Sequence, residues 1–285
     1  ILIRSGEAIQ VMKDVRTIVF DKTGTITKGQ PEVAEIVTVE DADEEDVLCW
    51  AASLEASSEH PLAQAVLRRA DEKDVEPEEA SNFETVPGKG ITGKVRAKSC
   101  MVGTRKLLER EEVDYSAISD ELQRLEDQGM TTSVVVVDGR PVGALGISDT
   151  LKEGSGDAIR ELQSMGFEVA MITGDNERTA QAIAEQVGID RVLANVLPDQ
   201  KAEEIKRLQS EVGTVAMVGD GINDAPALTQ ADVGIAIGSG TDIAIESSDI
   251  ILVRGELDAV VSGIKLSRAT FRKIKQNLFW AFGYN

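Results

Sequence analysis

The spacing of apolar and polar residues changes along the chain. From about residue 147 onward, short apolar runs alternate with amphipathic stretches, and each run has the length of a buried strand. Alternation of this kind predicts crossover units, in which helices cover a parallel sheet. The pattern predicts strands at 167–173, 214–218, 233–237 and 249–253, and helices at 177–187 and 199–209.

One more strand of the same type, 15–20, lies near the N-terminus and ends in Asp21. The segment between it and the later strands has mixed character, with helical patterns and hairpin-like alternation. Its predicted helices are 44–57, 61–71 and 116–128, and its predicted strands include 90–97, 133–137 and 141–147.

We therefore predict an α/β protein with an insertion. Residues 1–29 and 147–285 form one discontinuous domain with a doubly wound parallel sheet, and residues 30–146 form an inserted α+β domain. Hinges are expected near 28–32 and 145–149, where the two domains are joined.

Composition supports a folded, acidic protein. The 285 residues are 42% hydrophobic, and 50 acidic against 30 basic side chains give a net charge of −20. The insert carries 26 acidic and 12 basic residues, so most of the excess negative charge lies in this segment. Such a surface repels phosphate backbones, which argues against non-specific nucleic-acid binding. Cys49 and Cys100 are the only cysteines and predict neither a disulfide framework nor a zinc site.

The two ends resemble those of a piece of a longer protein. No run of 18 apolar residues and no signal peptide is present, so the chain itself is expected to be soluble. Residues 278–284 nevertheless form an apolar, aromatic run that follows five basic side chains. We expect the beginning of a membrane helix with its cytoplasmic flank. The alternative is a terminal helix docked on the core.

Polar clusters follow the predicted strands. The first cluster begins with Asp21, directly after the N-terminal strand, and the second is Thr173-Gly174-Asp175. The third is Lys201 at the start of a predicted helix, and the fourth is the segment Gly-Asp-Gly-Ile-Asn-Asp at 219–224, which contains Asp220. Ligands bind at the carboxyl ends of parallel strands, so we expect these clusters to converge. The carboxylates of Asp21 and Asp220 are suitable ligands for Mg²⁺, and the ammonium group of Lys201 would balance the remaining negative charge. Such a site can hold a phosphoryl group, and a carboxylate placed in line with that group can act as a nucleophile. Each cluster alone is also compatible with ordinary turn chemistry.

Together these motifs resemble the signature set of the P-type ATPases, which are members of the haloacid dehalogenase superfamily. The matching strings are Asp-Lys-Thr-Gly-Thr at 21–25, Thr-Gly-Asp at 173–175, Pro-Asp-Gln-Lys at 198–201 and the segment 219–224. The resemblance covers essentially the whole chain. It implies the phosphorylation and nucleotide-binding domains of a cytoplasmic loop between two membrane helices.

The resemblance also implies a role for each matched residue. Asp21 would be phosphorylated by ATP, while Thr173 and Lys201 would contact the phosphoryl oxygens. The implied catalytic residues are Asp21, Lys201, Thr173 and Asp220. The implied magnesium site consists of Asp21, Thr23, Asp220 and Asp224. Asp175 and Asn223 would support the site and count among the cofactor-binding residues.

Thr23 distinguishes this pattern from that of related phosphatases. The active sites of those phosphatases resemble this one, but they have a second aspartate two residues after the nucleophile. That aspartate acts as a general acid and base. With Thr23 there instead, water attack on an aspartyl phosphate should be slow, and the intermediate could persist.

The insert resembles the nucleotide pocket of the heavy-metal-transporting branch. The resemblance rests on Ser-Glu-His-Pro-Leu at 58–62 and Gly-Lys-Gly at 88–90, and it implies ATP contacts from Glu55, His60, Gly88, Gly90 and Gly103. His60 precedes a proline at a predicted helix start, so the alternative is a surface histidine that caps a helix. The family's Gly-Asn pair is replaced here by Gly103-Thr104, and a contact from Thr104 or Arg105 remains open.

Two short patterns near Gly88 are misleading. Residues 88–93 satisfy GxGxxG, and 88–94 nearly match a phosphate-binding P-loop. Both motifs must open a helix, whereas residues 94–97 alternate like a strand.

The final residues, Tyr284-Asn285, resemble the start of a membrane helix in copper(I)-transporting members. The resemblance implies ATP and Mg²⁺ as cofactors, copper(I) as the transported ion, and actuator and transmembrane domains as partners. It places the unit on the cytoplasmic side of a membrane protein, where domain closure would bring ATP to Asp21. Two alternatives remain: a soluble phosphohydrolase with a cap domain, and a non-catalytic nucleotide sensor.

Overall fold

The computed structural model describes residues 1–4, 6–39, 42–58, 60–220, 224–238, 246–253 and 255–284. Their contacts divide the chain into two compact units. The first contains Ile1–Gly29, Leu151–Asp175 and Ile183–Asn285, and the second contains Gln30–Thr150 and Asn176–Ala182.

The strands of the described residues are numbered along the chain. They are β1 (Leu2–Ile3), β2 (Thr17–Asp21), β3 (Thr27–Thr38), β4 (Ala80–Val86), β5 (Gly90–Val95), β6 (Lys98–Gly103), β7 (Thr131–Val137), β8 (Arg140–Leu151), β9 (Glu168–Ile172), β10 (Arg191–Leu193), β11 (Val215–Gly219), β12 (Val233–Ile237) and β13 (Ile250–Leu252).

The α-helices of the same residues are numbered in the same way. They are α1 (Gly6–Met12), α2 (Glu44–Glu55), α3 (Pro61–Glu72), α4 (Arg105–Arg110), α5 (Ser119–Asp127), α6 (Ser155–Ser164), α7 (Glu177–Val187), α8 (Lys201–Val212), α9 (Ala225–Gln230) and α10 (Asp258–Tyr284). Short 3₁₀ turns precede α5 and α8.

The first unit is built on a seven-stranded sheet in the order β1-β13-β12-β11-β2-β9-β10. All of its pairings are parallel except that of β1 with β13. Strands β2, β11 and β12 are buried at every position, which is why they appear in the sequence as continuous apolar runs. The predicted α/β class with a parallel sheet is confirmed.

The second unit is built on a six-stranded sheet in the order β3-β8-β7-β6-β5-β4. Strands β4 to β8 pair antiparallel, and β7 turns into β8 at Asp138-Gly139, where both residues have a positive φ. Helices α2 and α3 pack with this sheet around a core that includes Trp50, Val47 and Leu145. The mixed α+β character predicted for the insert agrees with this arrangement.

Several predicted boundaries were wrong. The helix predicted at 44–57 ends at Glu55, and the α-helix predicted at 116–128 begins at Ser119 after a 3₁₀ turn. The strand predicted at 90–97 ends at Val95, because Arg96 and Ala97 adopt a positive φ and form the turn into β6. The helix predicted from residue 199 begins at Lys201 after a 3₁₀ turn. The segment after Gly88 is a strand, as expected, so neither misleading glycine motif opens a helix.

Helix α10 contains the C-terminal aromatic run. Its exposed large apolar side chains include Leu278, Phe279, Trp280 and Phe282. Within the described ranges, the length and hydropathy of the helices give no candidate for a membrane span.

Gly143 supplies a test of packing in the second unit. A β-carbon at this position would lie 2.5 Å from the Val37 carbonyl oxygen and 2.8 Å from a Val47 methyl. We expect Gly143→Ala to lower the free energy of unfolding of this unit by about 1–3 kcal/mol, because the strand must shift to admit the methyl. Urea unfolding followed by fluorescence of buried Trp50, in a Trp280→Phe background, measures this change.

Gly6→Ala is the matched control. Nothing lies within 4 Å of a β-carbon at Gly6, which is in the first unit. A Gly143→Ala transition as stable as that of the control would contradict the packing argument.

Candidate active site

The carboxyl ends of three neighbouring strands bring the predicted polar clusters to one edge of the parallel sheet. Strand β2 lies between β11 and β9; Phe20 is opposite Val218, and Asp21 is opposite Ile172. The residues that follow these positions are Thr173 and, after Gly219, Asp220. Asp21, Thr173 and Asp220 therefore leave the sheet at the same level.

Lys201 lies between two of the carboxylates. It is the first residue of α8, directly after the 3₁₀ turn at Pro198–Gln200. Its Nζ donates hydrogen bonds to Asp21 Oδ1 and to Asp224 Oδ1, both at 2.6 Å. The exposed fractions of Asp21, Lys201 and Asp224 are 5%, 7% and 1%, so this charged cluster is almost dry.

The electrostatic effects in this cluster oppose one another. Burial and the charge of Asp224 raise the pKa of Asp21 to about 7, although Lys201 acts in the opposite direction and Asp220 adds to the rise. Burial also raises the pKa of Asp224 against the influence of Lys201. For Lys201, burial lowers the pKa, but Asp21 and Asp224 outweigh it, and the net direction is upward. The ammonium group therefore stays charged and compensates the carboxylates.

Two glycines leave room for the acidic side chains. A β-carbon on Gly219 would lie 2.5 Å from Asp224 Oδ2, and one on Gly24 would lie 3.4 Å from Asp220 Oδ2. Gly24 also has a φ of +74°, within the irregular turn Lys22–Ile26 that carries Thr23 at the surface. The turn places Asp21 and Gly24 beside Asp220. Asn223, predicted from the same motif, lies outside the described residues.

A second ion pair, which the sequence did not predict, flanks the cluster. Lys22 Nζ donates to Asp175 Oδ2 at 2.6 Å, and both side chains are nearly buried. Thr173 Oγ1 donates to the same Asp175 oxygen at 3.2 Å. Lys22 was present in the recognised motif next to Asp21, but its partner is 153 residues away along the chain. Only the strand register could identify it.

In the second unit, His60 occupies the N-cap of α3. Its Nδ1 accepts a hydrogen bond from the Leu62 amide at 3.2 Å, and Pro61 is the first residue of the helix. The helix-capping alternative is therefore part of its role. Because Nδ1 is an acceptor, the neutral ring carries its proton on Nε2. Partial desolvation lowers the pKa of His60, which favours this neutral form.

Glu55 ends α2, five residues before His60. Burial raises the pKa of its carboxyl group, with a smaller opposing effect from a hydrogen bond with Ser58. Glu59, which belongs to the same sequence motif, lies outside the described residues.

The predicted pocket glycines have a packing role in the sheet. Gly90 is opposite Gly103 across β5 and β6. A β-carbon on Gly90 would lie 2.2 Å from the Val102 carbonyl oxygen, and one on Gly103 would lie 2.4 Å from the Lys89 carbonyl oxygen. Gly88 has a φ of +67° in the turn before β5. At the Gly90–Gly103 pair, the backbones of β5 and β6 approach each other more closely than residues with a β-carbon would allow.

The residues that follow Gly103 are engaged within the protein. Thr104 donates its backbone amide and its hydroxyl to the Lys89 carbonyl oxygen, at 2.8 and 3.2 Å. The Arg105 guanidinium binds the buried carboxylate of Glu126, with Nε 3.0 Å from Oε1. Thr104 thereby ties the turn at Lys89 to the end of β6.

Comparisons with known proteins identify the family to which the chain belongs. The family model of haloacid dehalogenase-like hydrolases matches residues 15–232. The copper-exporting P-type ATPase of Bacillus subtilis is 47% identical over 285 residues, which are the whole chain and 36% of that protein. A probable copper-exporting P-type ATPase of Archaeoglobus fulgidus is 48% identical, with 35% of its length covered. The chain thus spans about a third of the length of these relatives.

Solved structures extend this similarity to the fold. The catalytic CPx-ATPase domain CopB-B has a TM-score of 0.69 at 31% identity, over 93% of this chain and 94% of that one. A zinc-transporting PIB-type ATPase in the E2.Pi state has a TM-score of 0.70 at 36% identity, over 99% of this chain and 46% of that one. The chain belongs to the haloacid dehalogenase-like hydrolase family and, within it, to the catalytic domains of P-type ATPases of the PIB, or CPx, group.

Proposed function

We propose that this chain is the ATP-binding and autophosphorylating catalytic unit of a copper(I)-exporting P-type ATPase. The observation that carries the proposal is the buried ammonium of Lys201 held between Asp21 and Asp224, beside Asp220. A carboxylate at the end of a central strand, with a fixed cation next to it, is suited to accept a phosphoryl group. Copper as the transported ion rests on the names of the relatives, and its copper(I) state rests on the resemblance of Tyr284-Asn285 to copper(I)-transporting members.

The donor set fits Mg²⁺. Among the described residues, no three acidic, histidine or cysteine side chains form a complete metal site. A magnesium ion needs fewer protein ligands, because it retains waters and binds substrate phosphate. Asp21 and Asp220 with Thr23 would hold it, and the buried Asp224 Oδ2 has no hydrogen-bond partner among the residues that the structure describes. When bound, Mg²⁺ would neutralise carboxylate and phosphate charge.

In the proposed reaction an Asp21 carboxylate oxygen attacks the γ-phosphorus of ATP. A bond between Asp21 and phosphorus forms, the bond to the β-phosphate oxygen breaks, and ADP leaves. Lys201 neutralises charge on the phosphoryl oxygens and keeps the Asp21 carboxylate oriented. Thr173, directly after β9, would contact another phosphoryl oxygen by turning toward it the hydroxyl proton that Asp175 Oδ2 accepts at 3.2 Å in this structure.

The residue two positions after Asp21 also favours a long lifetime of the acyl phosphate. Thr23 offers a hydroxyl where a proton-transferring carboxylate would be needed to activate water. A long-lived aspartyl phosphate is what an ion pump needs in order to couple chemistry to a conformational change. The actuator and transmembrane domains that would use it are proposed partners of this unit.

For the nucleotide we propose a pocket around His60 in the second unit. With Nδ1 engaged by Leu62, the ring can donate from Nε2 to an acceptor nitrogen on a purine edge. Glu55, with a raised pKa, lies within the same helix–turn–helix segment, and the turn at Gly88 and the Gly90–Gly103 pair would let ATP approach the backbone.

The phosphorylation reaction gives the first prediction. Incubation with γ-labelled ATP and Mg²⁺, followed by an acid quench, should leave label on the protein that hydroxylamine releases. Asp21→Asn should abolish it, because an amide oxygen cannot form the acyl phosphate. Lys201→Met should reduce it by at least about 100-fold, in the range for loss of one preorganised charge.

Two other outcomes would reject the proposal. Rapid multiple-turnover release of phosphate without bound label would indicate a soluble phosphohydrolase. ATP binding with no label in any variant would indicate a nucleotide sensor. Lys206→Met, an exposed lysine on the same helix as Lys201, is the matched control and should label like the wild type.

The nucleotide pocket gives the second prediction. His60→Gln should weaken ATP binding by about 1–2 kcal/mol, the range for one lost polar contact. Calorimetry measures the affinity. Thermal unfolding of the variant separates this effect from loss of the helix cap, and an unchanged affinity would remove His60 from the pocket.

The buried cluster gives a third prediction, for the metal-free protein in a chelator. Asp21 has a folded-state pKa of about 7, above the 3.8 of an unperturbed aspartate, so the folded state binds its proton more tightly. Stability is therefore lost as the pH rises between these two values. Asp21→Asn should be more stable than the wild type at pH 8, by about 2–4 kcal/mol.

The gain should shrink as the pH falls below 7, because the wild-type carboxyl is then protonated in the folded state. Urea unfolding at pH 8 and pH 5 measures both values. A variant no more stable than the wild type at pH 8 would show that burial of Asp21 carries no such cost.

A further inference from the structure

The turn that follows Asp21 is held in place by the segment that re-enters the first unit. The chain returns to this unit at Leu151, and Lys152 is the next residue. Lys152 donates its backbone amide to the Ile26 carbonyl oxygen at 2.9 Å and its Nζ to the Gly24 carbonyl oxygen at 2.5 Å. Ser155, the first residue of α6, donates its hydroxyl to the same Ile26 oxygen at 3.0 Å.

The Gly24 carbonyl matters because of what surrounds this residue. The position of a β-carbon on Gly24 faces Asp220 Oδ2 at 3.4 Å, and Gly29 is packed so closely that its own β-carbon would lie 3.0 Å from Gly24 Cα. Thr23 precedes it, and Asp21 ends the strand two residues earlier. A displacement of Gly24 would therefore also move the preceding residues Asp21 and Thr23, and it would change their positions relative to Asp220.

The turn has little regular structure of its own to resist such a displacement. Thr23 and Gly24 both have non-helical dihedral angles within it. Its internal support includes the hydrogen bonds that Thr27 makes to the Lys22 carbonyl oxygen. A hydrogen bond from an ammonium group to a carbonyl is charge-assisted, and is stronger than a neutral one. The half-buried Lys152 side chain therefore supplies a strong external anchor to the middle of the turn.

We infer that Lys152 is a positioning residue for phosphoryl transfer: through the Gly24 carbonyl it fixes the turn 22–26, and with it Asp21 and Thr23, against Asp220. Lys152 acts on the backbone of the turn and does not contact the phosphoryl group. The inference rests on the proposed phosphorylation of Asp21. It assigns a role to a residue that lies outside all the recognised sequence motifs.

The experiment compares four proteins: the wild type, Lys152→Met, Lys152→Arg and Lys206→Met. Lys152→Met removes the charge and the donor but keeps an unbranched side chain, and Lys206→Met removes the same charge from an exposed site in the same unit. The initial rate of hydroxylamine-sensitive labelling by ATP should fall about 10- to 100-fold in Lys152→Met, the effect expected of a small misplacement of reacting groups. Lys152→Arg, which retains a charged donor, should recover much of the rate.

Two further measurements separate positioning from other effects. Affinity for a non-hydrolysable ATP analogue should be unchanged in Lys152→Met, because the proposed nucleotide residues lie in the other unit. Amide hydrogen exchange of a peptide covering 22–27, measured without metal or nucleotide, should be faster in Lys152→Met than in Lys206→Met.

A labelling rate within twofold of the wild type would overturn the inference, as would unchanged exchange in the turn. A general loss of folding would appear as faster exchange across the strands of the sheet as well, and would equally contradict a positioning role. A wild-type protein that takes up no label would refute the proposed function instead, and hydrogen exchange would still decide whether Lys152 holds the turn.

Discussion

The arrangement of the first unit depends on one buried ammonium group. Lys201 projects from the start of α8 and binds carboxylates from the end of β2 and the start of α9. Three charges in an almost dry environment are tolerated only when each has a close partner, because an unpaired buried charge costs several kcal/mol. The cluster therefore fixes three chain segments relative to one another. It also holds excess negative charge, which a bound cation can relieve.

Around this cluster, backbone carbonyls and small residues control where the charges lie. Gly24 and Gly219 leave space for Asp220 and Asp224. Lys22 and Lys152 hold the turn after Asp21 from two directions, one through Asp175 and the other through the Gly24 carbonyl. The proposed phosphoryl acceptor, Asp21, thus ends a fully buried strand, while Thr23, which would help to bind metal, belongs to an irregular turn anchored by hydrogen bonds from Lys22 and Lys152.

The second unit uses the same residues for packing and for its candidate pocket. His60 caps a helix with one ring nitrogen and, in the proposed pocket, would use the other for the nucleotide. Gly90 and Gly103 allow two strands to approach closely, and Thr104 ties their ends together. In this chain the Thr104 hydroxyl donates to the Lys89 carbonyl oxygen and the Arg105 guanidinium binds Glu126, so both residues have partners within the protein.

The sequence alone determined the class of fold and the strand that ends in Asp21, because burial on both faces of a parallel strand leaves a continuous local pattern of apolar residues. It also supplied the motifs that led to Lys201, Asp220 and Asp224. Only the tertiary structure decided the partners of Lys22, Arg105 and Lys152, and the end of β5 at Val95. Those features depend on strand register, on turn geometry and on contacts between residues as far as 153 positions apart, for which the local pattern of side chains carries no signal.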